Sequence, residues 1–289
     1  MNVHLHIGLH KTGTTYLQYN IFPSLKDFHY VQLPPWRILT QANLSVQELE
    51  KYKSEILQGW DGQKDLIISN EFFSGAIEKF SKQQLICILD NLKQLFPQAK
   101  IIIVLRSPKG YFNSLYNFRV VSRGFCTKSM SDYYAQNKQY FLEKFDYDFL
   151  LKAVSDRFSK TSAIKYEEIQ DNNQYVAFIC KALAIPLFEV SNDVKENTSS
   201  KKGTQVKTHL ALNRILLSGL LESFPESHLK NYLKVQYFNF KKTKLIKKVL
   251  QRIEKSKFVV NNENKLTLEQ QNELDHFIKK YDQLHFPNL

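Results

Sequence analysis

The run Val3-His4-Leu5-His6-Ile7-Gly8-Leu9-His10-Lys11-Thr12-Gly13-Thr14-Thr15 decides how the chain is read. Residues 3–7 form a short β-prone run that stops at Gly8, and from Gly13 onward the pattern is that of an opening helix. The local order is therefore strand, glycine loop, helix. In that arrangement backbone N–H groups and the helix dipole converge on one point, which is where an anion binds. His4 and His6 alternate with Val3, Leu5 and Ile7, so they share one face of the strand. With no carboxylate or cysteine partner at ligand spacing they read as core imidazoles, and no metal site is expected.

The same punctuation repeats downstream. Leu66-Ile67-Ile68 is a second buried-strand run, and Ser81-Lys82-Gln83-Gln84 makes a capping box ahead of Leu85, Ile88, Leu89, Leu92 and Leu95 at helical spacing, ended by Phe96-Pro97. Ile101-Ile102-Ile103-Val104-Leu105 is the clearest fully buried strand. Ser107-Pro108 then supplies an N-cap and a first-turn proline to a helix with Tyr111, Leu115 and Phe118 on one face. A fourth strand over residues 162–166 precedes a helix through Val176, Ile179, Cys180 and Leu183 that stops before Pro186.

Strands alternating with helices predict an α/β fold, a P-loop-type parallel β-sheet flanked by helices, with ligands at the carboxyl ends of its strands. Beyond Val190 the character changes to a polar loop and then helices. One covers residues 245–253, and another follows a Thr267-x-x-Gln270 box and carries Leu274, Phe277, Ile278 and Tyr281. The expected organisation is a single domain, 1–289, made of an α/β nucleotide-binding core (1–190) and a polar loop with a helical C-terminal extension (191–289).

Composition narrows the classes. With 289 residues, 43% hydrophobic and 24% charged, the chain is neither disordered nor dependent on disulfide staples. Forty Lys and Arg against 28 Asp and Glu give a formal charge of +12, which points to an anionic ligand, polymer or membrane surface. Cys87, Cys126 and Cys180 lie far apart without a CxxC pair, which excludes a thiolate zinc site of the usual spacing. The apolar run at 101–105 falls far short of the ~20 residues of a membrane span, and no basic segment followed by an apolar block opens the chain. A soluble, cytoplasmic protein is expected.

The spacing of Gly8 to Thr15 nearly matches the nucleotide-binding pattern GxxxxGK[ST], but Thr14 stands where that pattern needs its lysine, and the lysine comes earlier, at Lys11. A nucleoside-triphosphate enzyme needs the later lysine on its terminal phosphates, whereas a lysine at the loop apex neutralises a bridging or transferring oxygen without metal. Lys11-Thr12-Gly13-Thr14-Thr15 resembles the 5′-phosphosulfate loop of the sulfotransferases that use 3′-phosphoadenosine 5′-phosphosulfate (PAPS). Arg106-Ser107-Pro108-Lys109, followed by Ser114, Tyr116 and Phe118, is similar to that family's 3′-phosphate segment, an arginine at a strand end with a serine further along the next helix. Lys165-Tyr166-Glu167-Glu168-Ile169 resembles its strand-end Tyr-Glu-Asp/Glu piece, which implies that Tyr166 lies near the adenine. Lys201-Lys202-Gly203 resembles its late basic-glycine loop over the 3′-phosphate, although the continuation Thr204-Gln205-Val206-Lys207 departs from the family pattern. These pieces run in order over the N-terminal two-thirds of the chain.

The resemblance implies a PAPS-dependent sulfotransferase that moves a sulfuryl group to a hydroxyl or amine, releases adenosine 3′,5′-bisphosphate and needs no metal. In the cytosolic small-molecule branch a histidine closes the second functional strand. Here that place reads Ser69-Asn70-Glu71-Phe72-Phe73, closer to carbohydrate-directed and bacterial members, so Glu71 is the expected general base, with His10 and His209 as alternatives. Amides and hydroxyls of Gly13, Thr14 and Thr15 would hold the 5′-phosphate, Lys11 would meet charge on the leaving oxygen, and Arg106, Ser114 and Lys202 would fix the 3′-phosphate. The implied acceptor is a carbohydrate or glycoconjugate, as a glycan or glycolipid, with a lipid or a small phenol left open by the residues, and nucleic acid is not expected. Lys241, Lys242, Lys244, Lys247, Lys248, Lys255 and Lys257 read as a solvated helix face, or as a contact with an acidic acceptor or an anionic membrane surface. Two competing classes remain, a P-loop kinase or NTPase and a basic-surface protein that binds an acidic polymer.

Overall fold

The structure, a computed structural model, describes residues 2–123, 126–169, 171–188, 209–210, 213 and 265–286. These group into two compact units. The first takes its described residues from 1–111, 139–196 and 277–289, the second from 112–138 and 197–276.

The first unit is built on a five-stranded parallel sheet in the order β2-β3-β1-β4-β5: β1 (Val3–His6), β2 (Phe28–Gln32), β3 (Asp65–Ser69), β4 (Lys100–Leu105) and β5 (Thr161–Lys165). β4 is Ile, Val and Leu from 101 to 105, and every one of those residues is fully buried, so helices cover both faces of the sheet there. Burial of each such side chain stabilises the fold by about 1.5–3 kcal/mol relative to exposure. On one face Ile67, Ile102 and Val104 pack with Leu17, Ile21 and Phe22, and with Tyr175, Val176 and Ile179. Leu17, Ile21 and Phe22 come from the helical stretch after the glycine loop, α1 (Thr14–Tyr16) prolonged by a π-helical segment (Leu17–Ile21) and a 3-10 turn (Phe22–Ser24).

The remaining α-helices among the described residues are α2 (Val46–Ile56), α3 (Lys82–Leu95), α4 (Pro108–Asn117), α5 (Met130–Gln136), α6 (Lys138–Lys144), α7 (Tyr147–Ser155), α8 (Asn172–Leu183) and α9 (Leu268–Gln283). Their starts follow local chemistry. Ser81 caps α3 by accepting from the Gln84 amide, Ser107 accepts from Gly110 N at the head of α4, and Thr267 and Gln270 exchange the two bonds of a full capping box before α9. α8 ends at Ala184 in the left-handed conformation, two residues before Pro186. Chain order sends β1 toward the β2 side of the sheet and β4 toward β5, so the connections diverge between these neighbouring strands. In an open parallel sheet that divergence opens a crevice at the carboxyl ends, here between β1 and β4.

In the second unit, Phe112, Tyr116, Tyr133 and Tyr134 form an aromatic cluster with centroids 5.5–6.4 Å apart. Buried Asn213 ties that unit together by donating to the carbonyls of Val120 and Cys126 at 3.0 and 2.9 Å. Glu273 accepts from Tyr134 and from Lys138. Residues 201–203 and the lysines at 241–257 lie outside the described residues.

Candidate active site

The loop after β1 is shaped by two left-handed residues, Lys11 at φ 70° and Gly13 at φ 76°. For a non-glycine residue that conformation costs roughly 1–2 kcal/mol, and the structure holds Lys11 there through its own carbonyl, which accepts from the Arg106 guanidinium. Arg106 leaves β4 next door, its backbone carbonyl fixed by Tyr147 Oη at 2.7 Å and its guanidinium 4.8 Å from the Tyr166 ring centroid. Tyr166 follows β5 directly, opening the 3-10 turn Tyr166–Glu168. The loop, Arg106 and Tyr166 are therefore one contiguous construction across the ends of β1, β4 and β5.

Thr12 and Thr14 are buried while Thr15 is exposed. The Thr12 hydroxyl donates to the Leu9 carbonyl at 2.6 Å, and the Thr12 carbonyl accepts from Tyr175 Oη at 2.8 Å, so Thr12 braces the loop from within. Thr14 Oγ1 donates to Glu71 Oε2 at 2.7 Å. Glu71 begins a 3-10 turn (Glu71–Ser74) immediately after β3, and Asn70 sets that turn by accepting from Phe72 N and donating to the Pro34 carbonyl. His10 Nε2 stands 3.8 Å from Glu71 Oε1. The acid, the loop lysine and the arginine are coupled electrically as well. Burial lowers the Lys11 pKa; Glu71 acts to raise it and Arg106 to lower it further.

On the β2–β3 side, the Trp36 ring stacks on Phe72 at 4.8 Å with planes 4° apart, and His10 meets Phe72 edge-on at 4.9 Å. Trp36 and Phe72 are half-exposed, which leaves flat apolar surface beside Glu71.

Arg106 Nε and Ser114 Oγ are buried polar atoms with no hydrogen-bond partner in the protein. Buried polar atoms of this kind are costly unless something satisfies them, and the Arg106 guanidinium is of the chemistry that takes an anionic oxygen. Ser114 belongs to the second unit. His209, also in the second unit, is half-buried in a helix. Lys201, Lys202 and Gly203 lie outside the described residues. His4 and His6 are fully buried and edge-on to Phe28 and Phe22, with their pKa values pushed by burial to about 4 and about 3. No group of three or more potential metal ligands occurs among the described residues.

A family model of the sulfotransferase domain matches residues 4–154, the span that contains the loop, Glu71, Arg106 and Ser114. The chain belongs to the sulfotransferase family. It is an enzyme that transfers sulfuryl groups. Among solved structures, a sulfotransferase from Alicyclobacillus acidocaldarius has the same fold, with a TM-score of 0.50 at 16% identity, over 78% of this chain and 98% of that one. No curated protein matches the sequence. Among the described residues no helix is long and apolar enough to cross a membrane.

Several contacts at this sulfotransferase's candidate site carry no local signal in the sequence. Tyr175 reaches the loop from α8, and Glu167 accepts from both the amide and the hydroxyl of Ser107 at the head of α4 and from Tyr281 Oη at 2.6 Å. The bond from Lys144 in α6 to the Ser74 carbonyl is another.

Proposed function

We propose that this sulfotransferase uses PAPS as donor and a hydroxyl or amine of a carbohydrate or glycoconjugate as acceptor. The observation that carries the reading is the 2.7 Å bond from Thr14 to Glu71, which sets a carboxylate against the anion loop whose apex is Lys11. PAPS, when bound, supplies the sulfuryl group and departs as adenosine 3′,5′-bisphosphate. Amides of Gly13, Thr14 and Thr15 take the 5′-phosphate at the start of α1, with Thr12 acting as a brace. Lys11 meets the negative charge that grows on the leaving oxygen, in a partly desolvated setting where such stabilisation is largest. Glu71 accepts the proton of the attacking hydroxyl or amine. Arg106 takes the 3′-phosphate through its fork of donors, with Ser114 and Lys201 to Gly203 assigned there by family pattern, and Tyr166 lies toward the adenine. The stacked Trp36 and Phe72 support an acceptor that presents an apolar ring face, as the C–H face of a sugar does.

A kinase would need its lysine at position 14, where this chain has a threonine whose hydroxyl is committed to Glu71. Calorimetric titration separates the two readings. Adenosine 3′,5′-bisphosphate is expected to bind more tightly than ATP or AMP, and tighter ATP binding would instead support the kinase. Lys11→Ala should cut turnover by about 10²–10³ with a smaller change in nucleotide affinity. Arg106→Ala should mainly weaken nucleotide binding, by roughly 10- to 100-fold. Wild-type turnover and affinity in both variants would refute these roles.

A further inference from the structure

Lys144 closes α6 with its side chain only 3% exposed, and no carboxylate oxygen lies within 4 Å of its ammonium among the described ion pairs. Its Nζ donates to the carbonyl of Ser74 at 2.5 Å and to Ser74 Oγ at 3.2 Å, and it sits 4.8 Å from the centroid of the Phe80 ring. Ser74 is itself 1% exposed and ends the turn that Glu71 begins. Its hydroxyl donates to the carbonyl of Glu71 at 2.8 Å or to the carbonyl of Gly8 at 3.2 Å. Gly8 is the first residue of the anion loop. A Cβ there would lie 2.5 Å from Thr14 Cγ2, so the loop already touches itself at this point and has no slack. One buried cation thus reaches, through one hydroxyl, both the backbone that carries the proposed base and the backbone that opens the loop.

A buried, hydrogen-bonded ammonium is an expensive way to hold two turns together. Burial pushes the Lys144 pKa down to about 7, with Glu71 acting to raise it. A methionine would fill similar space without that cost, so the ammonium's contribution lies in orientation.

We propose that Lys144 is a positioning residue for sulfuryl transfer: through Ser74 it fixes the distance between Glu71 and the loop that carries Lys11. The proposal rests on the reading of Glu71 as base. It places Lys144 behind the reacting groups, touching neither donor nor acceptor, so its loss should fall on turnover and spare donor binding. A misplacement of about 1 Å at a reacting group can cost about 100-fold in rate.

The test uses the full chain and PAPS turnover to water, which needs no identified acceptor, together with calorimetric binding of adenosine 3′,5′-bisphosphate. Lys144→Met is expected to lower kcat by about 10- to 100-fold while KM for PAPS and the bisphosphate affinity stay within about threefold of wild type. Ser74→Ala keeps the bond from Lys144 to the backbone carbonyl and deletes only the hydroxyl link; it should show the same split and serves if Lys144→Met does not fold. Equal losses in kcat and in nucleotide affinity would mean a general structural role and overturn the proposal, as would unchanged kcat in Ser74→Ala. Glu71→Gln, run alongside, separates the two failures. If it loses turnover while the Lys144 and Ser74 variants do not, only the positioning role falls; if it keeps turnover, the base assignment falls and the positioning role with it.

Discussion

Gly13 shows how little freedom the anion loop has. Its φ of 76° is left-handed, and a Cβ added there would sit 3.0 Å from Tyr175 Cε1 and 3.5 Å from Tyr166 Cε2. Gly13→Ala therefore meets both backbone strain and two rings. It should lose about 1–2 kcal/mol of stability and most of its affinity for adenosine 3′,5′-bisphosphate. Urea unfolding and calorimetry read these two quantities, and a variant matching wild type in both would show that the loop is looser than its contacts imply. Glu71 is tested by an opposite kind of change. Glu71→Gln keeps an oxygen to accept from Thr14 Oγ1 and nearly the same shape, but has no carboxylate to take a proton. PAPS turnover should fall by about 10²–10⁴ with the bisphosphate affinity unchanged. A glutamine variant that turns over normally would move the base to His10, 3.8 Å from Glu71, or to His209.

What was readable among the strands and helices follows from how completely each is buried. β1, β3 and β4 are central; β3 and β4 show as apolar runs and β1 as a β-prone alternation stopped by Gly8, and the glycine loop lies in one unbroken stretch of sequence. β2, at the sheet edge, is only half-buried along most of Phe28-His29-Tyr30-Val31-Gln32, so it offers no continuous apolar run. α2 does carry a local signal, the Ser45–Glu48 capping box, but its apolar side is thin. Arg106 was legible by its place at a strand end, whereas its bond to the Lys11 carbonyl joins residues far apart in the chain, as do Thr14 to Glu71, Tyr175 to Thr12 and Lys144 to Ser74. Such pairings come from the stacking of elements and leave no periodic trace. β1 carries a consequence of its own. His4 and His6 are neutral in the folded chain down to about pH 4 and about pH 3, while in the unfolded chain they take up protons near 6.5. Between those limits the unfolded state binds more protons, so stability falls as pH falls, by up to about 1.4 kcal/mol per pH unit for each imidazole. Urea midpoints measured from pH 6.5 down to 4.5 should drop, and a His4→Gln/His6→Gln double variant should drop less. A flat wild-type profile would contradict the burial of these rings.

Most of the residues proposed for the donor fall in one unit, Ser114 and residues 201–203 excepted. Lys11 to Thr15, Glu71, Arg106, Tyr166 and Lys144 all belong to the first unit, and so do both tryptophans of the chain, Trp36 and Trp60. Tryptophan fluorescence therefore reports the unfolding of the unit that carries the loop, whereas circular dichroism reports both. A ligand that binds only the folded state stabilises it by about 2.7 kcal/mol at 100 times its Kd. Adenosine 3′,5′-bisphosphate at that level should shift the fluorescence-detected transition upward by several degrees, and ATP at equal concentration should shift it less. Because the chain carries a charge of +12 and any multiply charged anion is drawn to it, the comparison must be made at one ionic strength near 0.15 M, where the screening length is about 8 Å. Arg106→Ala separates the site from the general field. It removes one charge of the forty Lys and Arg, which hardly changes the long-range attraction, yet it should abolish most of the bisphosphate-specific shift. If the variant keeps the full shift, or if ATP and the bisphosphate stabilise equally, the anion is held by overall charge and the crevice between β1 and β4 does not select a donor.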